Sequence, residues 1–159
     1  MGETDDGRWK SLGVASLAAM WAVALYGVLT LPPSIVTRWH ANGDASYGSK
    51  WSLLFLPVVV SIAFAILRVA RNARNIRVNV PFTIPEERRD AAVAVARHYL
   101  DVTAAALAFG FACMEAAIVR ASATGRADWT FYASIVLLVV LIFSTVAKML
   151  ADIYRASRA

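Results

Sequence analysis

Apolar residues run along this chain in four long blocks, about 12–31, 51–69, 91–119 and 129–150, separated by polar and charged segments. Each block approaches or exceeds the roughly 20 residues that a helix rising about 1.5 Å per residue needs to cross a hydrocarbon layer. The pattern predicts an all-α fold, an integral membrane four-helix bundle forming one transmembrane domain over residues 1–159. The first block is expected to be a retained span, because the acidic Glu3, Asp5 and Asp6 lead into it and no small-x-small cleavage pattern follows before Pro32. Pro57 lies near the start of the second block, where its missing N–H predicts a bend that neighbouring groups can accommodate. Arg97, His98 and Asp101 interrupt the start of the third block. Its lipid-buried part is therefore expected over 102–119, with the preceding stretch lying at the interface or continuing the helix into water. Trp51 and Trp129 open their blocks, as aromatic anchors at the headgroup level do.

Composition supports this pattern. Hydrophobic residues make up 59% of the chain, above the roughly 45–50% usual in soluble domains. A net charge of +5 raises the question of nucleic acid, but the basic residues lie between apolar blocks instead of forming a continuous basic surface, and no nucleic-acid partner is expected. They are also unevenly shared between the two sides. Twelve of the sixteen (Arg8, Lys10, Arg68, Arg71, Arg74, Arg77, Arg88, Arg89, Arg97, Lys148, Arg155 and Arg158) fall on one side of the four spans, and Arg38, Lys50, Arg120 and Arg126 on the other. The positive-inside bias puts both termini and the 70–90 segment in the cytoplasm and makes the 32–50 loop extracytoplasmic. The single cysteine, Cys113, lies within an apolar block and reads as a small buried hydrophobe, so no disulfide framework is available.

The 32–50 loop has the chemistry of a defined cap. Pro32 and Pro33 end the first helix and enforce extended geometry, and Asn42-Gly43-Asp44 is a turn signal. Trp39 and Tyr47 offer aromatic faces, and Arg38, His40, Asn42, Asp44 and Lys50 offer charge and hydrogen bonds, a mixture found at binding surfaces and equally compatible with solvated charges and interfacial aromatics. His40 and Asp44 alone are too few for a metal site, and His98 falls on the opposite side, so no metal or other cofactor is expected.

The order of these elements carries a resemblance. A first span ending in Leu31-Pro32, then Trp39 and His40, a central Gly43, then Tyr47-Gly48-Ser49-Lys50 leading into a proline-containing span, resembles the uncharacterised bacterial membrane domain at the N-terminus of SdpI-type immunity proteins. The similarity covers about residues 25–65. Arg38 stands where that family usually has histidine, and His40 where it more often has asparagine. The resemblance implies a multi-pass protein of the bacterial cytoplasmic (inner) membrane, acting in immunity to, or signalling about, secreted toxic peptides.

Two acids remain in the third block. Asp101 and Glu115 are separated by about 40° around a helix turning about 100° per residue, so both belong to one face together with Ala105, Ala108 and Ala112. Such a stripe reads as a packing seam of small residues with acids at its ends. Arg97, one turn away, is the expected partner of Asp101. Arg120 lies about 140° from Glu115 by the same helical spacing, which leaves Arg38, His40 or Lys50 of the loop as its expected partners. An isolated intramembrane carboxylate is also a candidate proton-exchange site. Paired catalytic acids, a nucleophile beside a histidine and a metal-binding helix motif are not found, so an enzyme is not expected. The chain is expected to be a non-enzymatic immunity, signalling or accessory protein that binds a peptide, a lipid or a partner protein through the loop. The alternative is a small proton-coupled transporter using Glu115. Membrane lipids, a peptide or membrane protein, and further copies of the chain are the candidate partners.

Overall fold

The computed structural model describes residues 3–39, 45–73 and 80–158, and the side chains at 3–6, 38, 39 and 45 lie outside that description. Four long helices dominate: α1 (Glu3–Thr30), α2 (Phe55–Asn72), α3 (Arg89–Thr124) and α4 (Trp129–Arg158). A 3₁₀ turn over Lys50–Leu54 leads directly into α2, and another over Glu86–Arg88 into α3. The all-α four-helix reading of the sequence holds, and all four helical segments are long and apolar enough to cross a membrane.

α3 is the central helix and packs against the other three. Its 36 residues span about 54 Å, well beyond a hydrocarbon layer of about 30 Å. Part of α3 therefore extends past the layer, and the stretch before Val102 continues the same helix without a break. Small residues let its neighbours approach closely. Ala104, Ala105, Ala108, Gly110, Ala117 and Ala121 are all buried, and a Cβ at Gly110 would stand 2.7 Å from Leu138 Cδ1 of α4. Gly125, with φ of 73°, ends α3 in the left-handed conformation that glycine adopts without steric cost. Asp128 then opens α4, accepting hydrogen bonds from the Thr130 backbone N–H at 3.0 Å and from the Thr130 hydroxyl.

The outer faces are apolar and uncovered. Val58, Val59, Ile62, Ile66 and Val69 on α2, and Val136, Val139, Val140 and Phe143 on α4, are exposed. Faces of this extent are incompatible with water and fit a lipid surround. The chain is accordingly a multi-pass membrane protein. Trp51 and Trp129 are also exposed, at the same end of the bundle, where α2 and α4 begin.

The connection between α1 and α2 is a β-hairpin, which the sequence pattern left as an unassigned cap. β1 (Ser34–Trp39) pairs antiparallel with β2 (Ala45–Ser49). The pairing runs from Ser34↔Ser49 to Val36↔Tyr47 and resumes at Arg38↔Ser46, which leaves a bulge at Thr37. The hairpin is tied into the bundle. Ile35 joins Val28, Leu31, Leu53 and Val119 in one hydrophobic cluster, and the buried Ser122 hydroxyl donates to the Val36 carbonyl at 3.4 Å. The Lys50 backbone N–H donates to the Pro33 carbonyl, and its ammonium to the Leu31 carbonyl.

Just before Pro57, where the sequence predicts a bend, the chain changes from the 3₁₀ turn over Lys50–Leu54 to α-helix from Phe55. Pro57 is buried in the first turn of α2, where its missing N–H costs no helical hydrogen bond. Its carbonyl accepts from the Ser61 hydroxyl, which in turn accepts from the Trp21 indole at 3.0 Å, a polar link between α1 and α2.

Candidate functional site

Asp101 and Glu115 are both buried on α3. Ala105 and Ala108 between them are buried as well, and Ala112 is half-buried. The two acids differ in what surrounds them.

Asp101 is paired across helices. Arg68 donates to its Oδ1 at 2.7 Å and Arg71 of the same helix pairs with its Oδ2. The expected partner was Arg97, but its guanidinium instead donates to the Ala73 carbonyl at the end of α2, at 3.2 Å. The cause is packing. Positions Arg68 and Arg71, one turn apart on the last part of α2, face α3 at the level of Asp101 and reach it without the bend a pairing along one helix requires. Nearby, Tyr99 donates to Asp152 of α4 at 2.5 Å, and Arg155 pairs with the same carboxylate. Phe82 stacks edge-on against Tyr154, fastening the segment before α3 to α4. These contacts lock the basic end of the bundle and leave Asp101 in a structural role.

Glu115 has no such partner. It is 1% exposed, and neither carboxylate oxygen has a hydrogen-bond partner among the described residues. Lys50 does not meet it, because its ammonium turns to the Leu31 carbonyl. Arg120 does not either, since it pairs with Asp128 at 3.0 Å. The side chains of Arg38 and His40, the other expected partners, lie outside the described residues. A carboxylate charge inside a membrane costs about 2.5–3.5 kcal/mol at the centre of a span, so an unpaired one calls for a partner or a proton.

Glu115 lines a cavity of about 770 Å³. One wall is β1, through Ile35, Val36 and Thr37, and another is the entry to α2, through Ser52, Leu53, Phe55 and Leu56. Met114 and Ile118 flank Glu115 on α3, and Phe131 and Tyr132 close the far side from α4. The lining is thus mostly apolar with one buried carboxylate and the hydroxyls of Thr37, Ser52 and Tyr132. Phe55 and Tyr132 are themselves exposed on the outer surface, so they stand between the cavity and the surroundings of the bundle. Apolar cavities with a few convergent polar groups are the usual form of a ligand site.

Of the expected binding residues whose side chains are described, Tyr47, Lys50 and Glu115, Glu115 alone lines this cavity. Tyr47, the register partner of Val36 in β2, is 69% exposed. Arg38 and Trp39 are placed in β1 by their backbones alone, and His40, Asn42 and Asp44 lie outside the described residues. Sequence reasoning missed Thr37, Ser52, Met114, Phe131 and Tyr132. The run of β-branched residues Ile35-Val36-Thr37 was an available signal for a strand. Nothing in the linear pattern placed α4 beside it.

No family model and no solved structure matches the chain. It is 30% identical over 161 residues to an uncharacterized protein of Archaeoglobus fulgidus, with 92% of this chain and 85% of that protein covered.

Proposed function

We propose, for a chain that belongs to the same family as the uncharacterized Archaeoglobus fulgidus protein, a non-enzymatic role in binding a ligand at the cytoplasmic membrane of a prokaryote. The ligand enters the cavity between hairpin, α2 and α4, which faces the outer side when both termini are cytoplasmic. The observation that carries this reading is the buried Glu115 carboxylate, unpartnered among the described residues, in an apolar cavity walled by the hairpin. The resemblance of residues 25–65 to the N-terminal domain of SdpI-type immunity proteins supports immunity or signalling as the use to which binding is put.

A photo-cross-linking residue at Thr37, in the full chain expressed in bacterial membranes, tests the reading. An adduct that mass spectrometry identifies as a peptide, lipid or protein is expected, and it disappears when Met114→Trp fills the cavity. The reading fails if no adduct forms, or if the same adduct persists in the filled variant.

The same carboxylate favours a second reading, a small proton-coupled carrier. Proteoliposomes containing the protein would then release or take up protons on adding substrate, and Glu115→Gln would abolish the signal. Binding without proton movement excludes this alternative and retains the first.

A further inference from the structure

We infer that the Glu115 cavity selects an amphiphile bearing a protonated amine, held by the carboxylate while its hydrocarbon part occupies the apolar walls. The inference rests on the cavity being a ligand site and names what it takes. Three observations converge on that class. First, the one charged group among the described residues lining the cavity is a carboxylate, which ionised only accepts hydrogen bonds. Its natural complement is a cationic donor. Second, both oxygens are buried without a hydrogen-bond partner among the described residues, and Lys50 and Arg120, which have described positions, are engaged by Leu31 and Asp128. The charge is therefore supplied from outside the described framework. Third, the remaining walls are hydrocarbon and aromatic, from Leu53, Leu56, Ile118 and Phe131, and would strip water from the ligand's other end. A small hydrophilic amine would leave these walls unfilled, and an anionic amphiphile would meet the carboxylate with like charge.

The cavity's position fits entry from the lipid phase. Phe55 and Tyr132 border it and are exposed on surfaces that continue into the lipid-facing sides of α2 and α4. An amphiphile lying in the outer leaflet carries its ammonium at the depth where helices and headgroups meet and can reach Glu115 past these two rings. Thr37, Ser52 and Tyr132 also line the cavity, and their hydroxyls can accept from ammonium N–H groups that point away from the carboxylate. The same chemistry is present in an aminophospholipid and in a soluble long-chain amine.

The full chain in nanodiscs is titrated with dodecylamine and, separately, with dodecanol, with binding read by native mass spectrometry and by the shift in thermal midpoint. Dodecylamine is expected to bind saturably and dodecanol at least about tenfold more weakly. Glu115→Gln keeps the shape and removes the charge, so it should erase that preference, whereas Glu115→Asp should retain it. If Glu115→Gln does not fold, the amine-to-alcohol ratio in the natural chain and in Glu115→Asp still decides. Equal binding of amine and alcohol, both lost on Met114→Trp, overturns the amine assignment and leaves the cavity a ligand site. Binding of neither compound overturns the amine assignment, and the Thr37 cross-link then decides whether the cavity holds another ligand. Phosphatidylethanolamine retained over phosphatidylglycerol after delipidation, and lost in Glu115→Gln, supports an aminophospholipid. Retention of neither lipid, with dodecylamine binding intact, supports a soluble amine. Equal retention of both lipids counts against selection by charge.

Discussion

The two buried acids of α3 illustrate how the same residue class acquires opposite roles from its neighbours. Asp101 is neutralised by two arginines that keep partial solvent contact, their side chains 34% and 20% exposed. Removing one partner of a buried pair costs about 3–5 kcal/mol, and the solvent contact of both arginines reduces this here to about 2 kcal/mol. Asp101→Ala should therefore lower stability by about 2 kcal/mol in a detergent unfolding titration, and Arg68→Ala by less, because Arg71 remains. Glu115→Gln behaves differently. Replacing a buried carboxylate that has no partner among the described residues by a neutral amide should raise or preserve stability in the ligand-free protein while abolishing cation selectivity. Asp128 supplies a pH dependence. The hydrogen bond from the Thr130 side chain holds this carboxyl below its ordinary 3.8 against the opposing effect of burial, with smaller contributions from the Thr130 backbone N–H and the nearby Arg120. A carboxyl depressed in the folded state stabilises the fold above its unfolded value, and that contribution is lost as pH falls through the lower folded value. The gap in thermal midpoint between the natural chain and Asp128→Ala should be full at neutral pH and close only in strong acid, below the ordinary carboxylate range. A gap that stays constant into strong acid would show that ionisation of Asp128 plays no part.

The hairpin and the α1–α3 contact carry most of the shape at the next scale up. Pro32 and Pro33 make the exit from α1 extended, and the β-branched run after them suits a strand, so the hairpin follows from local chemistry once pairing is allowed. What holds it down is not local. Ile35 buries itself among Val28 of α1, Leu31 just after it, Leu53 of the 3₁₀ turn and Val119 of α3. Gly27 permits this junction: a Cβ there would stand 2.8 Å from Leu53 Cδ1 and 2.9 Å from Val119 Cγ2. Gly27→Val should force those side chains apart, at a cost of about 1–3 kcal/mol. Because the displaced residues anchor β1, the same variant should increase proteolysis within the hairpin. Normal protease resistance would mean that the hairpin holds its place without this contact. α3 could be read from the sequence as helical at each end, but its continuity was left open. The charges at Arg97, His98 and Asp101 looked like an interruption, and became part of one helix because Asp101 finds its counter-ions on α2.

For the whole molecule, the uneven distribution of lysine and arginine predicts the orientation, and cysteine labelling tests it. With Cys113 replaced by alanine, a cysteine at Tyr47 should react with an impermeant reagent in intact cells, and one at Arg158 only after permeabilisation. The reverse pattern would invert the molecule and turn the Glu115 cavity toward the cytoplasm. Apolar block length and the placement of charges between blocks were enough to determine four membrane-length helices, because lipid requires every backbone group to be satisfied within a helix and penalises charge inside it. Helical periodicity was likewise enough to put Asp101 and Glu115 on one face of α3. Partner choice depended on the tertiary structure. Arg68 and Arg71 lie more than a loop away in sequence from Asp101, and the walls of the Glu115 cavity come from β1, α2, α3 and α4 together. Contacts across elements depend on how helices pack and at what height, which local periodicity does not encode. The folded chain thereby separates an acid closed by two arginines from an acid left facing a cavity.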